Sequence, residues 1–255
     1  MKIRLAGWLA VAVLATGLSV VCVDAQDTEP GNPKIDADAV LLLKQMGDYL
    51  AGVKEFSFNA EVTSDELAVG NQKIQFTDHL EVALRRPNKL WVDTRGDLFK
   101  KRLWYNGKTV TIMSYLDGFY TTTKVPSKLD AMLDEMMDAY GVTNPVIDFI
   151  VSNPYDVLLA DVTSAVYVGL HPVDGTLCNH LAFTKENVDW QIWIEDGSRH
   201  VPRKFVVTYK LEPGSPQDVV IMDDWDFSIK HPDHLFEFRP PQGAREIELL
   251  PLAEM

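Results

Sequence analysis

Hydrophobic and polar residues alternate along most of this chain. Phe56, Phe58, Ala60 and Val62 point one way, with Ser57, Asn59, Glu61 and Thr63 between them, the period-two pattern of a strand with one buried face. Ile74, Phe76, Leu80, Val82 and Leu84 make the next apolar face, followed by Leu90, Val92 and Thr94, by 98–105, by Val110 and Ile112, and by 119–125. Turn signals separate them: Gly70-Asn71, Arg86-Pro87-Asn88, Arg95-Gly96-Asp97, Asn106-Gly107 and Asp117-Gly118. After residue 160 the style resumes with 165–170, 177–183, 189–195, 203–211 and 218–229. Such short turns forbid parallel crossovers, so the pattern predicts about eleven antiparallel strands in one meander. A sheet of that length twists and curls toward a barrel.

Two stretches break the alternation. Ala39, Leu42, Leu43, Met46, Tyr49, Leu50 and Val53 lie on one face of a helix that Asp36 or Asp38 can cap. Between 126 and 160, Leu129, Met132, Leu133, Met136, Met137 and Tyr140 repeat at i, i+3, i+4, i+7, i+8 and i+11. Ser127 with Asp130 reads as the start of that helix and Gly141 as its left-handed stop. Asn144-Pro145 and Asn153-Pro154 each read as a further helix start. Three short, oily helices between two sets of strands predict a lid over one face of a curled sheet.

The amino terminus changes the picture of where this happens. Lys2 and Arg4 precede an apolar run, 5–21, and Val23-Asp24-Ala25 is a small-residue cleavage site. Residues 1–25 therefore read as a cleaved signal peptide, 26–34 as a flexible tether, and 35–255 as a single domain exported to the periplasm. Lipidation at Cys22 is the lesser alternative, because Val21 stands where that signal wants a small residue. Without the leader only Cys178 is left, so no internal disulfide is available. The net charge of −13, with no basic stripe, excludes nucleic acid as a partner.

Candidate chemistry is sparse. His231-Pro232-Asp233-His234 has metal-ligand spacing, but Pro232 breaks the helix such a pair uses, and a turn ending the last strand is favoured. Asp223, Asp224 and Asp226 flank Trp225; strand alternation puts Asp223 on the opposite face from the other two, and a solvated face is favoured. His180 reads as a packed histidine and Cys178 as an inert buried thiol. With no nucleophile elbow and no phosphate-binding loop, no catalytic residue, metal ligand or cofactor is assigned.

Several motifs resemble a known group. Leu84-Arg85-Arg86-Pro87-Asn88-Lys89-Leu90-Trp91 and Trp104-Tyr105-Asn106-Gly107-Lys108-Thr109, with the helices placed as above, resemble the bacterial LolA/LolB-like lipoprotein carriers. Those carriers usually show Gly where this chain has Asn88. Cys178-Asn179-His180-Leu181-Ala182-Phe183, Asp189-Trp190-Gln191-Ile192-Trp193-Ile194, Pro202-Arg203-Lys204 and the run 236–244 are similar to the predicted periplasmic family called domain of unknown function 2092. The resemblance implies an α+β fold: a curved antiparallel half-barrel with an amino-terminal helix and a helical lid on its concave face.

An apolar ligand between sheet and lid is the leading expectation, either a lipid or other apolar small molecule or the acyl part of a lipoprotein. The floor is expected from Phe58, Phe76, Trp91, Trp104, Trp190, Ile192 and Phe205, and the lid from Leu129, Met132, Leu133, Met136, Met137, Phe149 and Ile150. The alternatives are a periplasmic sensor or scaffold that binds a protein and, third, an enzyme acting on an apolar metabolite. A stable oligomer is not implied.

Overall fold

The structure, a computed structural model, describes residues 35–70 and 72–252. The leader, the tether, Cys22 and Asn71 lie outside the described residues. The first run of strands is β1 (Glu55–Leu67), β2 (Lys73–Arg85), β3 (Lys89–Gly96), β4 (Lys100–Tyr105), β5 (Thr109–Ser114) and β6 (Phe119–Lys124). The second is β7 (Ser164–Val173), β8 (Thr176–Thr184), β9 (Val188–Glu195), β10 (Pro202–Tyr209) and β11 (Gln217–Asp226). A two-residue β12 (Arg245–Glu246) adds a twelfth strand, parallel to β6. The hairpin chemistry is visible at Asn106-Gly107. The Asn106 carboxamide oxygen accepts from the Lys108 and Thr109 N–H groups, both at 3.0 Å. Gly107 has φ +85, and a Cβ there would stand 2.5 Å from the Asn88 side chain.

The sheet order is β12-β6-β5-β4-β3-β2-β1-β11-β10-β9-β8-β7. This corrects the single meander. Two antiparallel runs meet where the first strand pairs with the last long one, Val62 opposite Val220. β6 and β7, adjacent in sequence, therefore stand near opposite edges, and the chain between them has to cross the whole sheet. The open, curved sheet leaves those edges apart, so the half-barrel is not closed.

The helices lie on the inner face. α1 (Ala37–Gly52) starts at Asp36, whose carboxylate accepts from the Asp38 N–H at 3.0 Å. It buries Ala39, Leu43, Met46 and Leu50 against β7, β8 and β9. In the crossing segment, α2 (Leu129–Tyr140) ends at Gly141, φ 66, as the pattern predicts. Its start differs: Lys128 is the N-cap and offers no side-chain bond. Asp130 instead accepts from the Ser152 N–H and hydroxyl at 2.9 and 3.1 Å, tying α2 to the chain beyond it. The expected middle helix is a single 3-10 turn, Ile147–Phe149, although the Asn144 side chain accepts from the Val146 N–H at 2.9 Å as a helix cap does. α3 (Pro154–Leu159) begins at Asn153 and packs on α1, where a Cβ added to Gly47 would come within 2.6 Å of Tyr155 Cβ.

Tyr105 fixes the entry to the crossing segment. It is fully buried, its hydroxyl donates to the Pro126 carbonyl at 2.7 Å, and burial pushes its pKa up to about 12. The phenol of the unfolded chain ionises near pH 10. Its contribution is thus complete below about pH 10 and is lost as pH rises toward 12. Between pH 9 and 11.5 the unfolding free energy should fall about 1–2 kcal/mol more in the natural protein than in Tyr105→Phe. Parallel denaturant curves at the two pH values measure this; identical losses would contradict it.

Candidate functional site

Between α2 and the inner faces of β2–β5 lies a cavity of about 220 Å³. Its floor is aliphatic: Leu80 and Val82 from β2, Leu90 and Val92 from β3, Leu103 from β4 and Ile112 from β5. Each is placed there by strand parity, and Val82, Val92, Leu103 and Ile112 stand in one row across the four strands. Met132, Leu133 and Met136 of α2 form the roof, with Val142, Val146, Ile147 and Ile150 beyond the helix. The polar groups are Thr94, Lys101, Thr143 and Asn144, and exposed Lys101 and Thr143 mark where the cavity meets solvent.

α2 is tied down at both ends above the cavity. At its start, the Leu129 N–H donates to the Pro87 carbonyl (3.2 Å) and Arg86 donates to the Val151 carbonyl (2.8 Å). Burial lowers the Arg86 pKa, while Asp130 opposes that shift. At its end, the carboxy-terminal segment pairs with β6 through Arg245 and Ile247 and brings Leu252 against Gly141.

The other half of the inner face is filled. Phe149 meets Phe205 edge-on at 5.1 Å, Phe183 stacks on Trp190 at 4.0 Å, and Phe58 stacks on Trp225 at 4.2 Å. Of the expected lid, Met132, Leu133, Met136 and Ile150 border the cavity. Leu129 is buried at the start of α2, Phe149 turns to the filled half, and Met137 is exposed on the far side of the helix. None of the seven residues expected as floor borders the cavity. Trp190, Ile192 and Phe205 belong to the filled half, with Phe58 beside Trp225. Phe76 is half-buried toward the far end of β2. Trp91 and Trp104 are on the outer face, since Leu90, Val92 and Leu103 face inward. There the Arg102 guanidinium lies over both indoles, at 5.1 and 5.6 Å, and Phe238 covers Trp104 at 4.9 Å.

A second hollow of about 260 Å³ lies on the outer face, lined by Asn59, Glu61, His79, Glu81, Asp223 and Asp224 among others. The expected separation of Asp223 from Asp224 fails here. A bulge opposite Ser57–Asn59 puts Asp224 at φ 49 and resets the parity of β11. Both carboxylates then face outward, and Trp225 turns inward onto Phe58. Burial, followed by the neighbouring Asp224, raises the Asp223 pKa. Among the described residues no cluster of three or more His, Cys, Asp or Glu has metal-binding geometry.

His231 is buried, and its N–H donates to Glu55 at 2.8 Å. Cys178 is buried, and burial pushes its thiol up to about 11. His180 stacks on Trp193 at 3.9 Å, with Gln191 and His171 on its ring nitrogens. No described helix is long and apolar enough to cross a membrane.

The chain is thus an open half-barrel, filled by aromatics on one side and spanned by helices over an apolar cavity on the other. The chain belongs to the family of predicted periplasmic proteins DUF2092, whose model matches residues 39–250. Among solved structures, it is similar to the lipoprotein LppX of Mycobacterium tuberculosis: TM-score 0.48, 15% identity, 76% of this chain and 98% of that one. A LolA superfamily protein from Nitrosomonas europaea has a TM-score of 0.37 at 11% identity, over 78% of this chain and 97% of that one. A curated UDP-N-acetylmuramoylalanine--D-glutamate ligase of Aquifex aeolicus is 24% identical over 153 residues, 60% of this chain. This chain spans about a third of that ligase's length.

Proposed function

We propose that this is a non-enzymatic periplasmic carrier whose cavity under α2 holds one apolar chain. The observation that carries the reading is the hollow itself: about 220 Å³, floored by aliphatic side chains and roofed by two methionines and a leucine. A lining this apolar favours hydrocarbon over water, as an enclosed apolar cavity of about 150 Å³ does in another protein. It accommodates part of one alkyl chain. Each methylene transferred from water is worth about 0.8 kcal/mol before association costs. The unbranched thioethers of Met132 and Met136 adapt to chains of different shape. None of the polar groups on the lining is a carboxylate, imidazole or thiol, which favours carriage over catalysis.

Export through a cleaved leader at 1–25 and a single domain over 35–255 complete the proposal. Native mass spectrometry of the protein purified from its source, followed by lipid extraction, tests it. A bound mass that extracts as a lipid or acyl compound is expected; an empty protein that takes up no added alkyl chain would overturn the reading.

The alternative, a scaffold for a protein partner, draws on edge strand β7, where Val166, Val168 and Leu170 are each about half exposed. In-cell crosslinking that captures one stoichiometric protein through β7, with no lipid on the purified protein, would favour it.

A further inference from the structure

The polar groups on the cavity lining are not scattered. Thr94 on β3 and Lys101 on β4 are direct cross-strand partners, and both border the cavity at one rim. Side chains so paired sit about 5 Å apart, close enough to grip one small group together. Among the described residues the Thr94 hydroxyl has no hydrogen-bond partner and Lys101 has no ion-pair partner. Lys101 Nζ is 4.1 Å from the Phe99 ring centroid, so its known neighbour is an aromatic face rather than a carboxylate.

We propose, building on the carrier reading, that Lys101 and Thr94 bind the head of a single-chain carboxylate whose tail fills the cavity, making the ligand class a fatty acid. A single hollow of about 220 Å³ under α2 suits one chain rather than the two tails of a phospholipid. The charge balance selects a monoanion. Asp78, on the inner face of β2, acts on Lys101 without pairing with it and would repel the second charge of a phosphate monoester. Burial pushes the Lys101 ammonium pKa below the ordinary lysine value, and Asp78 pulls it back up. A lysine at the rim without an ion pair gains from an incoming anion.

The test uses protein labelled with 13C at the methionine methyls, titrated at neutral pH with octanoate, octan-1-ol and octyl phosphate. Met132 and Met136 report the cavity, while Met46, Met113 and Met222, buried elsewhere, serve as references. Octanoate should bind roughly fivefold more tightly than octan-1-ol. That ratio should fall to about one in Lys101→Met and in high salt, and persist in Lys101→Arg. Equal binding of octanoate and octan-1-ol at Met132 and Met136 would overturn the fatty-acid assignment and leave the cavity reading intact. Tighter binding of octyl phosphate would overturn the choice of a monoanion. No response at either methionine to any of the three would overturn the carrier reading, and this assignment with it.

Discussion

Replacing Val92 with Trp should abolish uptake of alkyl chains while leaving the protein folded. Val92 is at the centre of the cavity floor, opposite Val82 on one side and Leu103 on the other, and it is only half-buried because it faces empty space. An indole there has somewhere to go. Added bulk in a solid core costs about 1–3 kcal/mol in displaced neighbours, whereas bulk projecting into a void replaces missing contacts. Affinity for octan-1-ol should therefore fall by at least tenfold, with the melting temperature within a few degrees of the natural protein. Trp91→Ala is the matched control, one residue along β3 but on the outer face, and should leave affinity alone. Unchanged uptake in Val92→Trp, with the fold intact, would place the binding site elsewhere.

Phe149→Ala should have the opposite profile. Its ring is fully buried and meets Phe205 edge-on at 5.1 Å in the filled half of the sheet. Removing it leaves a hole that close-packed neighbours cannot close, a loss of about 3–5 kcal/mol. For a domain of this size that lowers the melting temperature by roughly 10–15 °C. Calorimetry measures it directly. A drop under about 1 kcal/mol would mean that this half is loosely packed as well, and the division into a filled and a hollow side would have to be abandoned.

The strands are readable residue by residue because alternation is local: Leu90 and Val92 announce their face with no knowledge of what lies opposite. The same parity excludes Trp91 and Trp104 from the floor. Choosing them for size and aromaticity sets aside a rule that the row of apolar residues obeys. Three things are not readable. The pairing of Val62 with Val220 joins distant parts of the chain, and no local pattern encodes it. The bulge at Asp224 reverses the parity of the residues after it, so Trp225 enters the core where simple counting would leave Asp224 and Asp226 there. Which half of the inner face fills depends on how closely helices approach, and that turns on details such as Gly47 against Tyr155.

In the proposed carrier the crossing of the sheet by 125–163 would govern how a guest comes and goes. A cover hinged on one rim swings aside, but this one is moored near both banks, to the β6 side through Pro126, which accepts from Tyr105 of β4, and to the β7 margin through the strand itself. Such a cover would bow or slide. In the proposed carrier a guest would pass lengthwise beneath the arch, past Thr143, with Leu252 of the carboxy-terminal segment packed near Gly141 at the end of α2. Trimming those last residues would shorten the guest's dwell time without touching any group that holds it.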